Sequence, residues 1–297
     1  MVRDLGSQLL PLPVSSAGHG RKKPLCARSH FRAGIHECIA FDRRFSTKSP
    51  GDTERQLNFY GGGYVHSTDQ SIDRTRPLTF YVTDRKALPD ASRMAILESI
   101  CAAVSARVDF VQIREKDLPT RELLAITSEA LRAANESGYT RIIVNDRLDV
   151  AVAAGAAGVH LGSESLSAER TVEWLRTEKF PADFLVGTSC HSLEEARQAE
   201  TAGVHYAFFG PIFDTPSKRP FGAPQGTKAL RSVCAAVGIP VIAIGGVEGS
   251  NAQACFRAGA AGIAAIRLFQ GTRDATALAL KVERIHRIVL GQRALSL

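Results

Sequence analysis

Short apolar runs alternate with helical patterns along most of the sequence, from about residue 78 to the C-terminal end. The runs are rich in β-branched and aromatic side chains, a composition typical of strands buried on both faces of a parallel sheet. Between two runs, residues 121–134 carry apolar side chains close to the 3.6-residue period of an amphipathic helix. Another helix begins with a capping-box pattern, Ser192 followed by Glu195. The predicted strands cover residues 79–83, 108–114, 141–144, 158–161, 184–187, 206–209, 241–244 and 262–266.

The number and order of these elements indicate the fold class. Eight strands that alternate with eight helices favour a (β/α)8 TIM barrel of the α/β class. A doubly wound open sheet is the alternative. The strand count argues against it, and so does the lack of an early Gly-x-Gly-x-x-Gly turn.

Residues 1–78 have a different character. They are rich in Gly, Ser, Arg and Lys and show no sustained hydrophobic period. We interpret them as a disordered extension or as the result of an upstream start codon, with an organelle transit peptide or a basic interaction tail as alternatives. The expected organisation is an extension over residues 1–78, a barrel over residues 79–290 and a short tail over residues 291–297.

The net charge of +7 raises the question of a nucleic-acid partner. Residues 1–50 hold nine of the 37 Lys and Arg residues and three of the 30 Asp and Glu residues, which leaves 28 basic and 27 acidic residues for the rest. Because the predicted barrel is nearly neutral, we expect no nucleic-acid partner. No apolar run reaches the ~18 residues of a membrane span, so we expect no membrane partner either.

The six cysteines are scattered, and no pair has CxxC spacing. This distribution argues against a zinc site and against a redox pair. Scattered thiols in a chain of this length are typical of a reducing compartment, so we expect a cytoplasmic location. The sequence leaves the oligomeric state open, and a homo-oligomer is compatible with it.

Polar residues follow the predicted strands at the ends where ligands bind in parallel α/β proteins. For any single residue, helix capping or simple surface exposure explains its presence equally well. Their shared position at the strand ends favours a common site. The residues are Gln112, Arg114 and Lys116 for the second strand, Asn145, Asp146 and Arg147 for the third, Ser163, Glu164 and Ser165 for the fourth, Ser189 and His191 for the fifth, Lys218 and Arg219 for the sixth, Gly245 and Gly246 for the seventh, and Arg267 for the eighth.

The chemistry of this set suits a phosphorylated ligand. Arg114, Lys116 and Lys218 would bring three cations to one face, which fits a phosphate or a diphosphate. The Gly245–Gly246 pair lies between a strand and a helix, where glycine lets backbone N–H groups approach an anion. Beside a diphosphate, Asp146 could hold Mg²⁺ through a carboxylate oxygen.

Taken together, the strand-end motifs resemble those of the thiamine phosphate synthase/TenI superfamily. The motifs are VQIREK, IIVNDRLDVA, GVHLG, SCHSLEEA, FFGPIFDTPSK and PVIAIGGV, and the likeness covers about residues 79–290. The resemblance implies a (β/α)8 barrel and an enzyme of thiamine biosynthesis. Thiamine phosphate synthases condense 4-amino-2-methyl-5-(diphosphooxymethyl)pyrimidine with thiazole phosphate, and the products are thiamine phosphate and diphosphate.

The resemblance also implies roles for individual residues. It makes Asp146 the ligand of a Mg²⁺ cofactor. It makes Arg114, Lys116 and Lys218 the cations that stabilise the departing diphosphate, so that positioning and electrostatics supply most of the rate. It places the pyrimidine diphosphate on Gln112, Arg114, Lys116, Asn145, Ser189 and Lys218, and the thiazole phosphate on Thr215, Gly245, Gly246 and the backbone near Arg267.

The chain departs from the synthase pattern at several positions. After the HLG motif the family usually has Gln and Asp, where this chain has Ser163 and Ser165. A serine is a poorer Mg²⁺ ligand than a carboxylate, although the neighbouring Glu164 offers one. The family often has a small serine where this chain has Arg267.

These departures leave two alternatives open. One is a TenI-type thiazole tautomerase, in which His191 would be the catalytic acid and base. The other is a non-catalytic regulator that binds thiamine phosphate. The retained Asp146, Lys116 and Thr-Pro-Ser-Lys sequence favour the synthase, because the TenI branch tends to lose the first two.

Overall fold

The computed structural model describes residue 72 and residues 76–215 and 223–293. Their eight parallel strands are β1 Leu78–Val82, β2 Phe110–Ile113, β3 Arg141–Asn145, β4 Gly158–Leu161, β5 Leu185–Cys190, β6 Tyr206–Phe209, β7 Val241–Ile244 and β8 Gly262–Ala265. Each strand pairs with its neighbours in sequence order, and β1 pairs with β8, so the sheet is a closed barrel. The predicted (β/α)8 barrel is confirmed, and a strand lies at each of the eight predicted places.

Helices follow the strands and pack on the outside of the barrel. Ser192 accepts a hydrogen bond from the backbone N–H of Glu195, as the capping pattern predicts. A short 3-10 turn, Arg85–Ala87, comes after β1. The α-helices of the described residues are α1 Arg93–Ser105, α2 Thr120–Ser137, α3 Leu148–Ala154, α4 Ala168–Thr177, α5 Leu193–Thr201, α6 Gly226–Ala236, α7 Ala252–Arg257, α8 Arg267–Gln270 and α9 Ala275–Arg293.

The expected boundaries can be compared with these elements only in part. Residues 1–71 and 73–75, which make up most of the expected extension, lie outside the described residues. Helix α9 ends at Arg293, so its last three residues fall within the expected tail, and residues 294–297 are not described. None of the helices in the described ranges combines the length and the apolar character that crossing a bilayer requires.

The apolar side chains form two layers, one inside the barrel and one between the sheet and the helices. Inside the barrel, the rings of Phe80 and Phe110 stack with centroids 4.3 Å apart, and Phe208 meets Phe80 edge to face at 5.3 Å. Burying each such side chain contributes roughly 1.5–3 kcal/mol. This aromatic layer fills the barrel interior, so polar side chains with a ligand-binding role are expected at the strand ends.

A glycine in β5 makes room for two rings inside the barrel. Gly187 pairs in register with His160 of β4 on one side and with Tyr206 of β6 on the other. A Cβ atom added at Gly187 would lie 2.1 Å from a carbon of the Tyr206 ring. Because β5 presents no side chain here, the rings of His160 and Tyr206 can meet across it, with centroids 5.6 Å apart.

A buried carboxylate lies near the end of the barrel where the strands begin. Asp109, 5% exposed, accepts hydrogen bonds from the N–H of Thr79 at 2.8 Å and from the hydroxyl of Tyr139 at 2.9 Å. The guanidinium of Arg76 pairs with the same carboxylate, and His286 of α9 lies 3.3 Å from it. Burial alone would raise the pKa of Asp109, but the bonds from His286, Arg76 and Thr79 outweigh it and hold the pKa well below its usual range.

We expect Arg76→Ala to lower the free energy of unfolding by about 1–3 kcal/mol at neutral pH, because the buried Asp109 loses its charged partner. A carboxyl group whose pKa is depressed in the folded state stabilises the fold above its unfolded pKa of about 4, and this stabilisation is lost as the pH falls toward the folded value. The difference between variant and parent should therefore shrink below about pH 4.

Urea unfolding at neutral and acidic pH measures both effects. Arg287→Ala is the control, since it removes an exposed pair with Glu283 on α9 and should change stability by less than about 0.5 kcal/mol. Equal stabilities of parent and Arg76→Ala at neutral pH would exclude this role of Arg76.

Candidate active site at the carboxyl ends of the strands

A chain of amide and carboxylate groups joins the ends of β2 and β3. Gln112 Nε2 donates to Asn145 Oδ1 at 2.7 Å, and Asn145 Nδ2 donates to Asp146 Oδ2 at 2.6 Å. Gln112 is 2% exposed, and its Oε1 has no hydrogen-bond partner among the described residues. Because an unsatisfied buried acceptor costs about 1–3 kcal/mol, this oxygen marks a position where a ligand N–H group would bind.

Asp146 is held in an uncommon backbone conformation. Its φ is +62°, in the left-handed region that aspartate tolerates better than most residues. Its N–H donates to the carbonyl of His160 at 2.8 Å, and its Oδ1 accepts from the N–H of Gly162 at 3.2 Å and from the Ser165 hydroxyl. These contacts fix the carboxylate between β3 and β4.

His160 lies within β4 and faces the barrel interior with 1% of its surface exposed. Its Nε2 is 3.0 Å from Ser189 Oγ, and its Nδ1 is 3.2 Å from the Tyr206 hydroxyl. Burial lowers the pKa of His160 to about 3; the Asp146 carboxylate opposes this effect and Arg114 adds to it. The ring is therefore neutral at physiological pH, and the charges of Asp146 and Arg114 both act on it.

The chain segment after β2 is anchored by a buried glutamate, Glu115. The N–H of Arg114 donates to Thr83 Oγ1 at 2.8 Å, and the Thr83 hydroxyl donates to Glu115 Oε1 at 2.7 Å. Arg85 also donates to Glu115 through its backbone N–H at 3.1 Å. Burial raises the pKa of Glu115, although the bonds from Thr83 and Arg85 act against it. Arg114 is half-buried and Lys116 is exposed at the barrel mouth, so both are accessible to an anion.

The backbone after β7 forms a left-handed glycine turn. Gly245 has a φ of +92° and Gly246 a φ of +67°. A Cβ atom would lie 2.5 Å from Pro211 Cβ at Gly245 and 2.7 Å from the Asp214 carbonyl at Gly246. Within the described part of the chain, no hydrogen bond from the N–H of Gly246 is found. A concave turn with an available N–H group suits an anion such as phosphate.

Two further contacts join chain segments at the strand ends. Arg267 Nη2 donates to Oγ1 of the buried Thr215 at 3.2 Å, which links the end of β8 to the loop after β6. His191 Nδ1 lies 2.6 Å from the carbonyl oxygen of Gly210. A carbonyl can only accept, so Nδ1 carries a proton, and Nε2 is the basic nitrogen when the His191 ring is neutral.

Some of the predicted residues do not join this arrangement. Arg147 turns to the surface, where its guanidinium binds Asp149 at 2.8 Å and Thr120 at 2.9 Å. Lys218 and Arg219 lie outside the described residues. The structure therefore joins Gln112, Asn145, Asp146 and Ser165 in one hydrogen-bonded group and, separately, Thr215 with Arg267. Ser163 and Glu164 are exposed.

The expected metal position contains one carboxylate. Ser165 contacts Asp146 directly, whereas Glu164 is exposed to solvent. Among the residues that the structure describes, no group of three or more His, Cys, Asp or Glu side chains could hold a metal ion. Any Mg²⁺ at Asp146 would need most of its ligands from substrate oxygens and water.

Sequence reasoning missed three contributors to the site, His160, Tyr206 and Glu115. The signal for His160 was a histidine flanked by apolar residues in the GVHLG motif, where only a satisfied polar group is tolerated. The signal for Glu115 was weaker: it is an acidic residue between Arg114 and Lys116, to which the sequence assigned a role in anion binding. Tyr206 gave no signal, since a tyrosine is ordinary in an apolar strand.

Barrels of this architecture bind their substrates at the carboxyl ends of the strands, and in this (β/α)8 barrel that is the end where the polar groups described above converge. The chain matches the family model described as thiamine monophosphate synthase over residues 79–269, and it belongs to that family. The family suggested by the strand-end motifs is thereby confirmed.

Individual relatives are similar over most of their length. The thiamine-phosphate synthase of Methanoculleus marisnigri is 41% identical over 215 residues, which are 71% of this chain and 89% of that protein. The thiamine-phosphate synthase of Roseiflexus sp. is 34% identical over 217 residues, 73% of this chain and 88% of the relative. The solved structure of a thiamine phosphate pyrophosphorylase from Pyrococcus furiosus is 31% identical, with a TM-score of 0.62, and covers 71% of this chain and 96% of its own.

We expect Gly246→Ala to destabilise the fold by about 1–3 kcal/mol, because alanine is strained at this φ and its Cβ would meet the Asp214 carbonyl. Gly249→Ala is a matched control two positions beyond Val247. A Cβ there meets nothing within 4 Å, so the change should be within about 0.5 kcal/mol. Thermal unfolding of the two variants measures the difference, and equal midpoints would show that the turn has no such restraint.

Proposed function

We propose that the protein is a thiamine phosphate synthase, which condenses 4-amino-2-methyl-5-(diphosphooxymethyl)pyrimidine with thiazole phosphate. The observation that carries this proposal is the Gln112–Asn145–Asp146 chain with its unsatisfied buried oxygen. Gln112 Oε1 suits the amino group of the pyrimidine, which is an N–H donor. Membership in the thiamine monophosphate synthase family supports the same assignment.

The charged groups at the mouth suit the diphosphate and the second substrate. Arg114 and Lys116 are the described cations nearest in sequence to Gln112, and we assign the diphosphate to them together with Lys218. The left-handed turn at Gly245–Gly246 suits the phosphate of the thiazole, with Thr215 and Arg267 at its side. The two substrates would then face one another across the barrel mouth.

The reaction needs little proton transfer. The C–O bond between the pyrimidine methylene and the diphosphate breaks, and both electrons leave on the diphosphate oxygen. The thiazole nitrogen then donates its lone pair to the methylene carbon and forms the new C–N bond. Arg114 and Lys116 stabilise the charge on the leaving group, and the strand-end side chains hold the two reactants in line, so positioning and electrostatics supply the rate.

The oxygen donors at Asp146 are of the type that Mg²⁺ prefers, but they are few. A carboxylate and the neighbouring Ser165 hydroxyl are hard oxygen donors of the kind that Mg²⁺ prefers, but they provide one charge between them. Asp146 would hold the ion together with diphosphate oxygens. When bound, Mg²⁺ supplies further neutralisation of the leaving diphosphate.

We also propose a cytoplasmic location. Cys190 and Cys255 are buried thiols in the structure, and burial raises the pKa of Cys190 to about 12. Buried protonated thiols of this kind are unreactive and fit a reducing compartment.

The deciding experiment incubates the purified chain with both substrates and Mg²⁺ and measures thiamine phosphate and diphosphate. Both products should form in equal amounts. Asp146→Asn is the matched variant, because asparagine tolerates the left-handed φ of this position while lacking the charge. We expect it to lose at least about 100-fold in turnover, with a thermal midpoint close to that of the parent.

Two outcomes would contradict the proposal. Isomerisation of thiazole carboxylate phosphate without Mg²⁺, abolished by His191→Ala, would identify a tautomerase, and the Nδ1–H bond of His191 to Gly210 leaves Nε2 suited to that role. Binding of thiamine phosphate without turnover of either substrate set would identify a regulator. In a synthase, His191→Ala should have only a mild effect, since the diphosphate leaves without a base.

Arg114→Ala should lower kcat/KM for the pyrimidine diphosphate by about ten- to a hundredfold, the loss of one charged hydrogen bond of roughly 1.5–3 kcal/mol. The KM for thiazole phosphate should change much less. Arg147→Ala removes the same charge from the next strand end, where the guanidinium already binds Asp149, and should change both constants by less than about threefold. Steady-state kinetics with each substrate varied in turn separate the two residues, and identical kinetics for both variants would remove Arg114 from the site.

Ser165→Asp should lower the Mg²⁺ concentration for half-maximal activity, because it adds a second carboxylate beside Asp146. Without Mg²⁺ the two carboxylates repel each other, so the thermal midpoint should fall and then recover on addition of Mg²⁺. Ser163→Asp adds the same charge at an exposed position and should show neither effect. An unchanged Mg²⁺ requirement in Ser165→Asp would place the ion elsewhere.

A further inference from the structure

Three side chains from consecutive strands form a buried hydrogen-bonded row beneath the proposed site. Tyr206 is completely buried and His160 is 1% exposed, whereas Ser189 is half-buried at the end of β5. The Tyr206 hydroxyl is 3.2 Å from His160 Nδ1, and His160 Nε2 is 3.0 Å from Ser189 Oγ. The row therefore runs from the barrel interior toward the strand ends.

The position of each proton in this row follows from what the buried groups can accept. The Tyr206 hydroxyl has one proton to donate, and among the described residues His160 Nδ1 is its hydrogen-bond partner. If Nδ1 carried a proton instead, the buried phenol proton would have no acceptor, at a cost of about 1–3 kcal/mol. Nδ1 is therefore the acceptor, and in a neutral ring the proton lies on Nε2.

This tautomer decides what Ser189 can do. The Nε2–H group of His160 donates to Ser189 Oγ, so the serine does not use its own proton inside the barrel. In the opposite tautomer, Nε2 would accept and would bind that proton. We propose that Tyr206 and His160 are positioning residues that hold Ser189 as a hydrogen-bond donor toward the bound substrate, which must present an acceptor atom there. The identity of that substrate rests on the proposed function, and the pyrimidine diphosphate offers ring-nitrogen and phosphate-oxygen acceptors.

The backbone provides for this row at Gly187. This residue is two positions before Ser189 on the same face of β5 and pairs in register with His160 and Tyr206. Its missing side chain is what lets the Tyr206 ring approach within 2.1 Å of the position that a Cβ would occupy. Gly187 of β5 therefore leaves the space in which the side chains of His160 and Tyr206 form their hydrogen bond.

The tautomer of His160 can be measured without any turnover. A wrong tautomer would therefore contradict the positioning role of Tyr206 and His160, whereas absence of thiamine phosphate synthesis would contradict the proposed function. Long-range proton–nitrogen correlation spectra of the isotope-labelled full chain show which ring nitrogen of each histidine is protonated. Two other histidines are internal standards: His205 Nδ1 accepts from the N–H of Val186 at 3.0 Å, and His191 Nδ1 donates to Gly210. His160 should give the pattern of His205. The signal is assigned by its loss in His160→Gln or, should that variant not fold, by its shift in Ser189→Ala.

A double-mutant cycle tests the action through Ser189. Tyr206→Phe should raise the KM for the pyrimidine diphosphate about fivefold, the effect of one neutral hydrogen bond. In the Ser189→Ala background the same change should have almost no effect on KM, because the group that it orients is gone. Tyr81→Phe is the control, since it removes an equally buried hydroxyl that donates to Gln270 Oε1 at 2.9 Å, and it should leave KM unchanged in both backgrounds.

Two results would overturn the proposal. One is a His160 spectrum with Nδ1 protonated, as in His191. The other is an effect of Tyr206→Phe that is equally large with and without the Ser189 hydroxyl, which would mean that Tyr206 acts on the fold and not through the serine.

Discussion

Pairing of β1 with β8 is the constraint on which the rest of the structure depends. Leu78 pairs in register with Gly262, and a Cβ at Gly262 would lie 2.6 Å from the Leu78 carbonyl oxygen, so the close approach needs glycine. Side-chain hydrogen bonds also stabilise the β1–β8 junction, both beyond the carboxyl ends of the strands and where the strands begin. Gln270 Nε2 donates to the Asp84 carbonyl at 2.6 Å beyond the strand ends, and the Asp109 carboxylate joins Thr79 of β1 to α9 where the strands begin. Without this closure, β1 and β8 would be the two edges of an open sheet, and the ends of β2 and β7 would lie on opposite sides of it instead of around one mouth.

The inside of the barrel changes from apolar to polar along its axis. Stacked rings such as Phe80 and Phe110 fill the interior, where an unpaired polar group would be costly. The buried polar side chains there have hydrogen-bond partners, as in the contact of Tyr206 with His160. Among the described residues, the buried side-chain atom without a partner is Gln112 Oε1, near the end of β2. This unsatisfied oxygen supports the proposed site independently of any single charge.

The backbone at the strand ends is arranged to present these groups. Asp146, Gly245 and Gly246 all have positive φ, so the chain turns sharply where β3 and β7 end. Such conformations are costly unless the surrounding contacts enforce them. Here the β4 backbone holds Asp146, and the loop after β6 fills the space that side chains at the two glycines would need.

The sequence by itself determined the eight strands, their order and the family, because hydrophobic period and strand-end motifs are local properties of the chain. It also pointed to the contact partners Gln112, Asn145 and Asp146, since neighbouring parallel strands end at the same edge. The sequence did not show that Arg147 differs from the other strand-end candidates. In the structure its guanidinium binds Asp149 at the surface. The sequence also gave no role to His160 and Tyr206. The register of β4, β5 and β6 in the closed barrel decided the role of His160 and Tyr206, because only that register shows which side chains meet across Gly187. The orientation of Arg147 was decided by its tertiary contact with Thr120 and its pair with Asp149, which turn the guanidinium to solvent.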